Sequence, residues 1–279
     1  MLSKGLGSLL ALAIVPALAQ VPSGPASAPT TAITAPRQHA PRKVYPGRPA
    51  RVEGNVTVEE STNWSGYAVT GSSFTTALGS WFIPSVNCSK TPNTYSSFWV
   101  GIDGWNSDTV EQTGTDSDCD GTSPSYYAWY EFYPAASVLI SSVSVSPGNK
   151  MSASVTYVSG TEFTITITNE STGKSYSKTG SVSGADRSSA EWIAEAPCCT
   201  RRGGILPLAD FGTVDFGEDY TGVSSTNDAT DSSTSGAISA FGSNVYESIM
   251  VNGSTGADEA VPSSLSSDGT SFTVTWDSE

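Results

Sequence analysis

The chain has 279 residues, with 27 Asp and Glu against 13 Lys and Arg and a net charge of −14. That length holds one large domain or two small ones. So acidic a chain argues against nucleic acid or an anionic membrane as a partner.

Residues 1–19 read as a secretory signal peptide: Lys4, an apolar run from Leu6 to Leu18, and the small-x-small ending Ala17-Leu18-Ala19. The run is too short to span a bilayer, and no other stretch approaches the ~20 apolar residues required. Export to the extracellular space is therefore expected. Residues 20–53 are rich in Pro and Ala, carry Arg37, Arg42, Lys43, Arg48 and Arg51, and show no hydrophobic period. Such a segment cannot fold alone. Only Glu53 balances it, so residues 54–279 hold 7 basic and 26 acidic residues, a net of −19. The charge split favours a basic prosegment over a plain linker, with the boundary to a domain of residues 54–279 falling between 53 and 60. Its arginines and lysine are expected to pair with groove carboxylates at neutral pH and to release them in acid.

His39, the sole histidine, lies in this tail. The domain then has no Ser-His-Asp or Cys-His nucleophile and no His-ligated metal. Hydrolysis there has to use carboxylates, amides, hydroxyls or lysines. Of the four cysteines, Cys88 and Cys119 are expected to pair across 31 residues, worth about 3–4 kcal/mol on the chain-entropy model. Cys198 and Cys199 are adjacent, and the sequence leaves their pairing open.

From residue 60 onward short alternating runs predict strands at Trp64–Val69, Ser80–Ile83, Ser97–Ile102, Tyr126–Tyr133, Met151–Val158, Phe163–Thr168 and Tyr176–Thr179. Others are predicted at Ala190–Glu195, Gly212–Phe216, Ala237–Phe241, Tyr246–Val251 and Ser271–Trp276. Thr172-Gly173 marks a hairpin turn. No run of ten residues has a convincing helical period, so the expected fold is an all-β antiparallel sandwich of two large, lectin-like sheets.

Motifs within these runs carry the chemistry. "SSAEWIAEAP" (188–197) turns Ala190, Trp192 and Ala194 to the core and Glu191, Ile193 and Glu195 to the other face. "SYYAWYEFYP" (125–134) groups Tyr127, Trp129, Glu131 and Tyr133 on one side as a groove wall. In "SSFWVGIDGWNSDTVEQTGTDSDCDG" (96–121), Trp99, Gly101 and Asp103 share a face, Asp103-Gly104 signals a turn, and Gln112 follows on a second strand. "DSDCDG" starts like a calcium loop but has Tyr127 where the twelfth-position Glu belongs, so no metal is expected. The residues alone leave three readings: a carboxylate peptidase, a glycoside hydrolase using Glu131 and Glu195, or a lectin-like binding module.

The ordered set "NWSGYAV", "FWVGIDG", "VEQTGTD", "YYAWYEFYP" and "AEWIAEAP" resembles the glutamic peptidases (eqolisins) over roughly residues 60–276. The resemblance implies a secreted acid endopeptidase without a cofactor, acting as a monomer on proteins or peptides and inhibited by its own prosegment. By motif, Gln112 falls on the family's oxyanion donor and Glu195 on its acid–base glutamate. Trp99, Asp103, Trp129, Glu131 and Tyr133 fall on the substrate cleft. After Glu195 the chain departs from the family pattern, with Cys198-Cys199 and Arg201-Arg202 beside the cleft.

Overall fold

Alternation of apolar and polar side chains at period two makes this chain a sheet former almost throughout. The computed structural model describes Met1, residues 36–198 and residues 204–278. The expected signal peptide, the first part of the tail, Cys199 and Arg201-Arg202 lie outside the described residues.

Among the described residues the strands are, in chain order, β1 (Arg51–Glu53), β2 (Val56–Ser61), β3 (Trp64–Thr70), β4 (Thr76–Phe82), β5 (Ser97–Ile102) and β6 (Val110–Asp120). They continue as β7 (Ser123–Tyr133), β8 (Val138–Ile140), β9 (Lys150–Ser159), β10 (Glu162–Asn169), β11 (Lys174–Ser181) and β12 (Ser189–Glu195). The last are β13 (Thr213–Phe216), β14 (Asp228–Thr230), β15 (Ser235–Ala237), β16 (Val245–Val251), β17 (Asp258–Pro262) and β18 (Phe272–Trp276).

Pairing sorts them into two layers. One runs β1-β2-β16-β3-β12-β5-β6-β7-β8. The other runs β11-β10-β9-β4-β13-β18-β17, and β17 also pairs with β16 to join the two. Neighbours are antiparallel except β2 with β16. The main core lies between the layers: Tyr67, Val100 and Trp192 from the first meet Trp81, Val155, Phe163 and Phe272 from the second.

Most of the anticipated strands form within a residue or two, and β10 and β11 make the expected hairpin, with Asn169 opposite Lys174. Ala237–Phe241 is a correction. Only Ala237 ends a strand there, and Ile238–Asn244 winds as a 3-10 segment. A spacing of three puts Ile238 and Phe241 on one buried side of such a turn, a pattern that a short apolar run does not distinguish from a strand. The Cys88–Cys119 disulfide forms as anticipated and ties the loop after β4 to the end of β6.

The outward face of the first layer is not a solvated surface. Trp64, Trp99, Trp105, Tyr127, Trp129 and Ile193 build a second apolar cluster there, and residues 36–46 run across it.

Candidate active site

Register across β12, β5, β6 and β7 fixes three rows of side chains on this outward face. The middle row is Ile193, Trp99, Gly114 and Trp129. One flanking row is Glu195, Ser97, Asp116 and Tyr127; the other is Glu191, Gly101, Gln112 and Glu131. Gly114 opens the floor between them, since a Cβ there would lie 2.4 Å from the Phe98 carbonyl and 2.5 Å from the Trp99 Cβ. Gln112 and Glu195 therefore reach into one groove from opposite sides of a glycine–tryptophan row.

The tail fills that groove as an extended peptide. Gln112 Nε2 donates to the His39 carbonyl at 2.9 Å, and the Ala40 N–H donates to Glu195 Oε1 at 3.2 Å. The His39 N–H donates to Glu131 Oε2 at 2.9 Å, and Trp64 Nε1 donates to the Ala40 carbonyl at 3.1 Å. The His39 ring is fully buried. It stacks on Trp129 at 3.6 Å with planes 9° apart, its Nδ1 lies 3.3 Å from Glu195 Oε2, and its Nε2 lies 3.7 Å from Asp116. Downstream, the Lys43 N–H donates to Asn63 Oδ1, and Val44 bridges to Ser61.

The tail's arginines pair with acids other than Glu131 and Glu195. Arg37 meets Asp118 at 3.4 Å, Arg42 meets Glu59 at 2.6 Å, and Arg48 meets Glu60 at 2.6 Å. The tail groups that reach Glu131 and Glu195 are backbone N–H groups, the His39 ring and the Gln38 side chain rather than the arginines.

Burial under the tail governs the electrostatics. Glu195 is pushed well above the usual carboxyl range by desolvation and by Glu131 and Asp116, against hydrogen bonds from Trp99 Nε1 (2.8 Å) and the Ala40 N–H. Glu131 is raised by desolvation in the same way, against the His39 N–H. Asp116 is pushed up to about 7 by desolvation, although the Tyr127 hydroxyl lies 2.7 Å away. Desolvation holds His39 well below its ordinary value. Burial under the tail thus favours the uncharged form of each of these groups.

The other expected residues are spread more widely. Trp99 bonds Glu195 directly, and Tyr133 lies half-buried against the Trp129 cluster. Asp103 takes a left-handed turn at φ 71° and accepts the N–H groups of Arg187 and Ser188 at 2.8 Å each, bracing the approach to β12. Glu191 is buried near Asp103, Glu111 and Arg42 rather than at the tail's peptide bonds. Sequence reasoning missed His39, Asp116 and Trp64. Asp116 shares the period-two face of Gln112 within "VEQTGTD", a signal that was available. Among the described residues no group of three or more His, Cys, Asp and Glu side chains is arranged to hold a metal ion.

Residues 62–276 match the Peptidase A4 family. Aspergillopepsin-2 of Aspergillus niger is 30% identical over 188 residues, covering 60% of this chain and 66% of that protein. Scytalidopepsin B of Scytalidium lignicola is 34% identical over 181 residues, covering 62% and 68%. A crystal structure of scytalido-glutamic peptidase with a transition state analog inhibitor superposes with a TM-score of 0.64 at 28% identity, covering 77% of this chain and 98% of that one. With its sandwich, its paired Gln112 and Glu195 and this match over most of its length, the chain belongs to the peptidase A4 family, the glutamic peptidases.

Proposed function

We propose that this protein is a secreted, monomeric acid endopeptidase in which Glu195 activates water and Gln112 stabilises the oxyanion. One observation carries the reading. A single peptide unit, the carbonyl of His39 and the N–H of Ala40, is held between Gln112 Nε2 and Glu195 Oε1. With the groove open to solvent, Glu195 as carboxylate takes a proton from water, whose oxygen attacks the scissile carbonyl carbon. Gln112 donates to the developing oxyanion. Glu195 then passes its proton to the leaving nitrogen. A histidine base would be protonated at low pH, whereas a carboxylate in water stays partly ionised near pH 4.

The same reading makes residues 36–46 the enzyme's own inhibitor, occupying the groove while burial favours the protonated form of Glu195. The family match and the peptide-shaped groove favour this over a glycoside hydrolase or a lectin-like module. The test is digestion of denatured protein at about pH 3 with pepstatin present. Gln112→Ala should lower the rate roughly 10²–10³-fold, Glu195→Ala more, and both should unfold near the parent temperature. Glu191→Gln should be far milder. A dead Glu191→Gln beside an active Glu195→Ala would reverse the assignment.

A further inference from the structure

The tail lies in the groove in the manner of a substrate. An inhibitory segment needs only to fill the cleft. This one also aligns a particular bond with both reacting side chains and places its neighbours in built sites on either side. We propose that His39–Ala40 is a self-cleavage site, and that the tail's contacts mark the enzyme's preference: a flat ring before the cut and arginine three positions from the bond on each side.

Four observations carry this beyond the proposed function, on which it rests. The His39 carbonyl receives Gln112 Nε2 at 2.9 Å, and the Ala40 nitrogen stands 3.2 Å from Glu195 Oε1, so both ends of this amide face the groups the reaction uses. The ring before the bond fills a slot between Trp129, parallel at 3.6 Å, and Asp116. The third residue on the N-terminal side, Arg37, lies over the Tyr95 ring at 4.0 Å and against Asp118 at 3.4 Å. The third residue on the C-terminal side, Arg42, lies over the Trp105 ring at 3.7 Å and bonds Glu59 at 2.6 Å. Two separate aromatic–carboxylate clamps therefore receive two arginines placed symmetrically about one bond. A planar guanidinium suits such a clamp, because it stacks on the ring and forks to the acid at once.

The step balances without any co-reactant but water. As the tail loosens enough to admit water and let Glu195 ionise, the water oxygen bonds to the His39 carbonyl carbon, one water proton goes to Glu195, and the carbonyl oxygen takes the negative charge under Gln112 Nε2. The carbon–nitrogen bond then breaks as the proton on Glu195 passes to the Ala40 nitrogen. The products are a carboxyl terminus at His39 and an amino terminus at Ala40. Residues 40–48, still joined to the chain at residue 49, then have to swing out of the groove, which frees the Arg42 clamp, Asn63 and Ser61 for a substrate. The new amino terminus then lies upstream of the composition break at residue 54.

The exported chain, brought from pH 7 to pH 4, is followed by mass spectrometry and amino-terminal sequencing of its earliest products. Ala40 is expected as the first new terminus, at a rate independent of protein concentration, with Glu195→Gln uncut. A peptide of residues 36–43 added to processed enzyme should be cut at the same bond. Arg37→Ala and Arg42→Ala in that peptide should each raise KM roughly tenfold. The peptide carrying Pro36→Ala, a position outside these contacts, should be unchanged. If the enzyme digests denatured protein yet the tail comes away whole or is first cut elsewhere, the self-cleavage proposal is overturned and the proposed function stands. Equal cleavage of all three substituted peptides overturns the arginine preference. Failure to digest any protein with the tail removed overturns the proposed function itself.

Discussion

Release of the tail should depend on pH through two opposing sets of groups, which His39→Phe separates. Docking holds His39 well below its ordinary value near 6.5, so the released tail binds a proton that the docked tail refuses. This contribution to docking is present above about pH 6.5. It falls by up to tenfold per pH unit as pH drops toward the docked value. The carboxyls facing that ring behave oppositely. Glu195 and Glu131 are raised by burial and Asp116 reaches about 7, so their contribution is complete below the ordinary carboxyl range near 4 and is lost as pH rises through the raised values. Between about pH 4 and 6.5 the sets offset one another. Below about 4 the carboxyls are protonated whether or not the tail is docked, and the His39 term alone drives release. Full-length chain with a fluorogenic peptide, read as initial rate against pH, should therefore show activity rising steeply below about pH 4. His39→Phe keeps a ring on Trp129 but cannot take the proton, so its rise should be flattened by about one order per pH unit. Identical profiles for parent and His39→Phe would refute the reasoning.

Three other outcomes follow from the packing. His39→Ala removes a stacked, fully buried ring, worth together about 3 kcal/mol, so the full-length chain should show less latency at pH 5, with the docked fraction weakened roughly 150-fold. Gly114→Ala should lower stability by about 2–3 kcal/mol and activity with it, because its Cβ meets the Phe98 carbonyl and the Trp99 Cβ in a packed sheet; chemical denaturation measures the first and peptide hydrolysis the second. Cys88→Ser with Cys119→Ser should lower the unfolding free energy by about 3–4 kcal/mol without displacing Gln112 or Glu195, so low-temperature activity should be preserved.

The sheets were legible because period two is a local signal. Trp192 and Ala194 fall in the inter-layer core and Ile193 with Glu195 on the other face, as alternation requires. What alternation could not say is whether that outer face meets water. Glu195 reads as outward in sequence, yet it is fully buried because a segment about 155 residues upstream lies over it. The same blindness hid His39. Composition assigns it to a basic, proline-rich tail, and only three-dimensional placement puts its ring between Trp129 and Asp116. Charge counting paired the tail's arginines with groove carboxylates in general, but a long cation takes acids where its guanidinium also stacks on Tyr95 or Trp105, and Glu131 and Glu195 are left to other tail groups. Asp103 shows the converse limit. Its motif position leaves open whether it lines or supports the cleft, and its left-handed turn with the Arg187 N–H makes it a brace for the chain before β12.

On the proposed mechanism, the placement of Glu195 lets one carboxylate serve both latency and catalysis. An acid–base glutamate at low pH needs a pKa that leaves it ionised often enough to take a proton and weakly basic enough to return it. Under the tail, desolvation and the neighbouring Glu131 and Asp116 all favour the protonated form of Glu195. Withdrawal of residues 36–40 exposes the same groove to water. The largest of those causes then weakens, while the Trp99 N–H remains to favour the carboxylate. On the proposed mechanism, removing the blockade and generating the base are thus one event.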